Sequence, residues 1–207
     1  MKVVRFINSI FRSNSYIIYS ECSDSAFVID PGDSKSIIDW SKSNNKSLKG
    51  ILITHSHFDH IYGINDLQDK FPEINLYGSF YAKEGMMSEK LNGSYYMEMP
   101  FVIKRQDVII IKEGNIIPLW DDVYLTVFET SGHDRDCLSF QIKRNLFTGD
   151  AFIPGMKVHS KSKYSNKIKA EESVKRIFEE FSRDTVIWPG HANNCFLGDV
   201  NIEETKI

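Results

Sequence analysis

The sequence predicts an α/β chain in which mixed β-sheets are covered by outer helices. Three observations predict it: short β-branched runs occur in both halves of the 207 residues, two longer stretches carry apolar residues at helical spacing, and strands and helices alternate too irregularly for a simple doubly wound sheet. With 42% hydrophobic and 13% aromatic residues the chain can bury a substantial core, and one domain over residues 1–207 is expected.

Taken in order, Val3 to Ile7, Tyr16 to Tyr19 and Phe27 to Asp30 read as strands. "DPGD" then turns the chain into a helix from Ser34 to about Asn44. "GILIT" is a brief β-branched strand ending in "HSHFDH", and "IYGINDLQDKF" behind it has helical spacing, so the histidine cluster falls on a strand-to-helix loop. Residues 86 to 101 hold four of the six methionines and two tyrosines beside Gly93 and Pro100; a substrate-facing lid is one reading, a peripheral helix packed on the core the preferred one. "VYLTVFET" and "CLSFQIKRNLFTGD" are strands, the second pair folded about Lys143, Arg144 and Asn145. "AEESVKRIFEEF" is an amphipathic helix with Val174, Ile177, Phe178 and Phe181 on one face and Glu171 and Glu172 at its N-terminus. One more strand and turn follow in "DTVIWPGH".

Bulk properties exclude some functions. A net charge of −3 gives no global attraction to nucleic acid or anionic membranes, so nucleic acid is disfavoured as a partner and a small-molecule substrate is expected. Neither a membrane-spanning run nor an export signal is expected, and three cysteines without CxxC spacing fit a reducing compartment; the cytoplasm is the expected location. Residues 151 to 170 contain Lys157, Lys161, Lys163, Lys167 and Lys169 and no acid, which makes either a collar for an anionic substrate or, as preferred, a solvated loop.

Divalent ions are held by imidazole nitrogen and carboxylate oxygen. Such donors stand at four places: His55, His57, Asp59 and His60 in the loop, His133 in "TSGHD", Asp150 in "FTGD" and His191 in "WPGH". Each group follows a strand, and the last three stand beside Gly132, Gly149 and Gly190, where glycine lets the backbone turn sharply enough to aim the next side chain back. Chance would produce H-x-H-x-D-H in such a chain only roughly a few times in ten thousand.

These motifs, in this order, resemble the metallo-β-lactamase superfamily over nearly the whole chain, and the early "VIDPG" resembles the strand and turn beneath its site. The resemblance implies a four-layer αββα sandwich with two mixed β-sheets and two divalent metal ions, zinc first, with iron or manganese as alternatives. It implies that His55, His57 and His133 hold one ion, that Asp59, His60 and His191 hold the other, and that Asp150 bridges them. Asp30 matches a buried aspartate that fixes the loop. The implied reaction uses a metal-bridging hydroxide, with Asp59 as the catalytic carboxylate that orients it and shuttles a proton.

Departures narrow the class. His60 and Asp150 stand where the best-known zinc β-lactamases carry arginine and cysteine, and His57 stands where flavodiiron proteins carry glutamate. The wording is nearest to glyoxalase II-like hydrolases, but the Gly-Cys-Gly-Arg stretch is replaced by "AFIPGMKVHSKSKY", and sixteen residues follow His191 where those enzymes carry a helical glutathione-binding domain. "TSGHDRD" places Asp134 and Asp136 near the site, where solvent exposure or support of a ligand histidine is preferred to direct catalysis. The leading expectation is a metal-dependent hydrolase of a small ester, thioester or lactone. An iron-dependent oxygenase resembling persulfide dioxygenases, a phosphodiesterase or ribonuclease of the same fold, and a metal-binding protein without activity are the alternatives.

Overall fold

The computed structural model describes residues 1–205, which fall into two compact units, the first ending at Ile111 and the second beginning at Lys112. Each builds one six-stranded mixed sheet with flanking helices.

The first unit runs β1 (Lys2–Ile7), β2 (Asn14–Tyr19), β3 (Ser25–Ile29), α1 (Ser34–Ser43), β4 (Ser47–Leu52), α2 (Phe58–Ile61), α3 (Ile64–Lys70), β5 (Asn75–Gly78), α4 (Phe80–Met86), α5 (Glu89–Asn92) and β6 (Val108–Ile110). Strand order follows chain order: β1, β2 and β3 pair antiparallel, and β3 through β6 pair in parallel. Parallel neighbours cannot be joined by a tight turn, so each of these crossovers carries a helix. The histidine loop is the crossover leaving β4, between two parallel neighbours, a position that brings the carboxyl ends of three strands to one edge. Ile37 of α1, Ile51 and Ile53 of the β4 strand and its exit, and Ile64 and Leu67 of α3 are fully buried in one apolar cluster. Each such side chain contributes about 1.5–3 kcal/mol by leaving water.

The second unit runs β7 (Ile116–Trp120), β8 (Val123–Glu129), β9 (Leu138–Ile142), β10 (Asn145–Gly149), α6 (Lys167–Glu180), β11 (Val186–Pro189), β12 (Cys195–Phe196) and α7 (Ile202–Thr205). Its sheet order is β12-β11-β10-β9-β8-β7, with β10 and β11 its parallel pair. Since β8–β9 and β9–β10 are both antiparallel, β8, β10 and β11 all finish at the same edge. Those ends carry His133, Asp150 and His191. Helix α6 lays Ala170, Val174 and Ile177 onto Leu146, Phe152 and Ile187.

The strands and helices expected from the sequence are present, with one difference. Helix α6 begins at Lys167, because the Asn166 side chain caps it by accepting from the Lys169 N–H, so Glu171 and Glu172 lie in its second turn. Residues 86 to 101 form a packed peripheral segment: Met86 is fully buried, and the buried Asn92 and Ser94 side chains both donate to the Phe101 carbonyl, at 2.9 and 3.0 Å. Tyr96 and Met99 at its tip are 86% and 84% exposed. No helix among the described residues is long and apolar enough to cross a membrane.

Candidate metal centre

The first unit carries His55, His57, Asp59 and His60. Asp30, in the left-handed region at φ 49° just after β3, is 2% exposed. Its Oδ1 accepts from the Thr54 N–H at 2.8 Å and its Oδ2 from the Thr54 hydroxyl at 2.6 Å, so the carboxylate ties the exit of β4 to the end of β3. The Thr54 hydroxyl lies 3.1 Å from His55 Nδ1, and Asp30 Oδ2 lies 3.5 Å from His60 Nδ1. Both contacts are made on the Nδ1 side of the ring, so Nε2 of each faces away from them. The three imidazoles are clustered, with ring centroids of His55 4.7 Å from His57 and 4.4 Å from His60. Donor atoms of Asp30, His55 and His60 lie within 4.8 Å of one another. His60 Nε2 is 3.4 Å from Asp59 Oδ2.

Beneath the loop lies a buried polar network that sequence reasoning missed. Asn8 Nδ2 donates to the Ser13 and Ser15 hydroxyls, at 3.0 Å each. Ser13 in turn donates to the Asp59 carbonyl and Ser15 to the Asp30 carbonyl, both at 2.7 Å. Gly63 closes the loop from the other side, donating its N–H to the Pro31 carbonyl at 3.0 Å; a Cβ there would stand 2.2 Å from the Gly32 oxygen. The one signal in sequence was "NSIFRSNS", whose small polar residues read equally well as a surface turn.

The second unit carries His133, Asp150 and His191. Gly132, at φ 146°, passes so close to α6 that a Cβ would lie 2.3 Å from the Ala170 backbone, and this approach delivers His133 to the sheet edge. His133 Nδ1 is 2.9 Å from the His159 carbonyl, which can only accept, so Nδ1 carries a proton and the neutral ring has its lone pair on Nε2. The parallel exit of β10 and β11, locked by the Gly190 N–H on the Gly149 carbonyl at 2.8 Å, sets Asp150 beside His191. Asp150 Oδ2 lies 3.7 Å from His133 Nε2 and 3.5 Å from His191 Nε2. His159 contributes through its backbone.

Asp134 and Asp136 are buried, so the solvent-facing reading does not hold for either. Asp134 Oδ1 accepts from the Arg135 N–H at 2.6 Å, and the Asp134 N–H points at the Cys137 sulfur at 3.4 Å. Complete burial pushes the Cys137 thiol far up, and the neighbouring carboxylates of Asp136, Asp134 and Asp150 push it further. Cys137 is thus an inert packing residue; Cys22, Cys137 and Cys195 are all free thiols. Lys157, Lys161 and Lys167 are exposed and, with Met156, Val158, His159 and Ser160, line a 610 Å³ pocket.

The family model of the metallo-β-lactamase superfamily matches residues 9–191. Hydroxyacylglutathione hydrolase 1 of Vibrio vulnificus (strain YJ016) is 32% identical over 128 residues, 62% of this chain and 43% of that protein. The hydroxyacylglutathione hydrolase of Buchnera aphidicola subsp. Baizongia pistaciae (strain Bp) is 28% identical over 191 residues, 92% of this chain. The chain thus spans 43% and 66% of the length of these two relatives. Among solved structures, the B3 metallo-β-lactamase BLEG-1 superposes with a TM-score of 0.88 at 22% identity, covering 95% of both chains. A protein crystallised in a di-iron-bound form superposes with a TM-score of 0.81 at 20% identity, over 94% of this chain and 95% of that one. Likeness at these identities establishes the fold: two mixed sheets with flanking helices.

Proposed function

Since this chain belongs to the metallo-β-lactamase superfamily, we propose that it is a metal-dependent hydrolase whose two donor sets close on a shared pair of divalent ions. The donors fit such ions. Two ligands held ~2.0–2.1 Å from one tetrahedral ion stand ~3.3–3.4 Å apart. The pairs His60 Nε2 with Asp59 Oδ2, His191 Nε2 with Asp150 Oδ2, and His133 Nε2 with Asp150 Oδ2 are spaced at 3.4, 3.5 and 3.7 Å. That spacing carries the proposal. His55, His57 and His133 would hold one ion; Asp59, His60 and His191 would hold the other; Asp150 Oδ2, which faces two histidines, would serve both. Imidazole and carboxylate without thiolate suit zinc, and also iron or manganese.

When bound, such ions acidify a water towards a pKa of ~7 and polarise the oxygen of an acyl or phosphoryl group. Everything else falls to the protein. The Asp59 backbone is pinned through its carbonyl by Ser13, so its carboxylate is held to accept a proton from the attacking water and return it to the leaving group. The His159 carbonyl holds His133 in the tautomer a cation needs. A small ester, thioester or lactone is the substrate class that the hydroxyacylglutathione hydrolases among the relatives support. The pocket lined by Lys157, Lys161 and Lys167 supports an anionic group on that substrate.

The test is to purify the protein without added metal, measure metal identity and ratio, and assay it on thioester, lactone and phosphodiester panels and for oxygen uptake. Two ions per chain with thioester or lactone turnover are expected, and Asp59→Ala should lose the second ion and at least about a hundredfold in turnover. A protein that binds no divalent ion, or an Asp59→Ala variant with normal metal content and rate, overturns the reading.

A further inference from the structure

Asp33 occupies the N-cap position of α1, where an aspartate carboxylate ordinarily accepts from the free N–H groups of the first turn. Its side chain makes no capping bond. The carboxylate is turned away from its own helix: Oδ1 accepts from the Tyr62 hydroxyl at 2.6 Å and from the Ser9 hydroxyl at 2.8 Å, and Oδ2 accepts from the Ser9 N–H at 2.7 Å. Tyr62 is the C-cap of α2, the single turn that holds Asp59 and His60. A turn of four residues has too few internal hydrogen bonds to hold its own orientation, so what grips its ends sets where those two side chains point.

The backbone of the turn is held near its start by the Ser13 hydroxyl on the Asp59 carbonyl, and just past Tyr62 by the Gly63 N–H on the Pro31 carbonyl. The Tyr62–Asp33 bond grips the C-terminal end of the turn through a side chain. Burial, and after it the bond to Asp33, pushes the phenol up to about 12, so Tyr62 stays a donor. For Asp33, burial acts upward but the bonds from Tyr62 and Ser9 outweigh it and hold the carboxyl below its usual range, so it stays an acceptor.

We propose that Tyr62, Asp33 and Ser9 form a positioning clamp for cation binding, holding the α2 turn so that Asp59 and His60 keep their 3.4 Å donor spacing before an ion arrives. The clamp touches neither ion nor substrate. It rests on the two-ion reading above, and it assigns the three side chains to the second ion, the one expected on Asp59, His60 and His191. Loss of a partner that orients ligands typically costs ~10–100-fold in metal affinity.

The experiment is a titration of the metal-free protein with cobalt alone, read by its visible absorption and by competition with a chromophoric chelator. The wild type should bind two ions. Tyr62→Phe should bind the first with unchanged affinity and the second ~10–100-fold more weakly. The metal-free variant should unfold within a few degrees of the wild type, since a purely structural loss would weaken both ions together. Asp33→Asn keeps an acceptor oxygen and should weaken the second ion by less; it is read in the same way if Tyr62→Phe does not fold. Second-ion binding within about threefold of wild type in these variants, or equal loss of both ions, overturns the clamp. A wild type that fails to bind a second ion overturns the two-ion reading itself, which separates the two failures.

Discussion

Replacing Asp30 by alanine removes the carboxylate on which the histidine loop is hung. The side chain is 2% exposed, so water does not replace it. Two groups lose their acceptor, the Thr54 N–H at 2.8 Å and the Thr54 hydroxyl at 2.6 Å. A hydrogen bond to a charged group contributes about 1.5–3 kcal/mol, and the backbone N–H left behind carries its own desolvation cost. Asp30→Ala should therefore lose about 3–5 kcal/mol, a large part of the ~5–15 kcal/mol that holds a typical domain folded. Thr54→Val removes the hydroxyl's bond to Asp30, together with its 3.1 Å contact to His55 Nδ1, and should cost about 1.5–3 kcal/mol. Because the two changes remove one shared bond, the double variant should be less destabilised than the sum of the singles. Urea unfolding in chelator, followed by circular dichroism, measures all three. An Asp30→Ala protein within 1 kcal/mol of wild type, or strict additivity with Thr54→Val, would show that the loop is held by something else.

Two further outcomes are expected. Arg176 grips Glu113 with two nitrogens at 2.8 and 3.1 Å, and its hydrogen bond holds the Glu113 carboxyl below 4.5 although burial opposes this. That contribution is complete above the unfolded value near 4.5 and is lost as pH falls through the lower folded value, so Arg176→Ala should be destabilised at pH 7 but converge with wild type in strong acid. Both groups are partly exposed, at 32% and 42%, which limits the loss at pH 7 to about 0.5–1 kcal/mol; melting temperatures across pH check it, and an equal deficit at every pH refutes it. Of the thiols, Cys22 should react at once with a disulfide reagent in the native protein, Cys195 slowly, and Cys137 only on unfolding, as its burial and raised thiol require. Rapid native labelling of Cys137, located by mass spectrometry, would contradict its placement.

How much was legible in the sequence follows from what each residue does. The strand-end placement of the candidate donors was readable because imidazoles and carboxylates there, next to glycines, have few other reasons to recur. Helix α6 was readable because Val174, Ile177 and Phe181 repeat at its own period, and its true start was missed because Asn166, one polar residue in a polar stretch, does not advertise a cap. Strands β5, β6, β7 and β12 were not foreseen: β6 has three residues and β12 two, too short for any alternation to register. The Asn8, Ser13 and Ser15 network was invisible for a deeper reason. A serine that donates to a buried carbonyl and a serine in a surface turn have the same hydropathy, and only the tertiary fold says which it is.

That network bears on why the site is built as it is. Asn8, Ser13, Ser15, Asp30 and Thr54 are each at most 2% exposed, in a place where apolar side chains of similar size would need no partners of their own. Their hydrogen bonds end on the carbonyls of Asp30 and Asp59 and on the backbone of residues 32, 33 and 54. An apolar filling would hold the volume but leave those main-chain groups unsatisfied and the loop without a fixed orientation. Four candidate donors crowded into residues 55–60 would meet a cation together, as proposed, only if their backbone is held from beneath, and small hydroxyls are side chains short enough to reach main-chain carbonyls there without displacing the side chains above them.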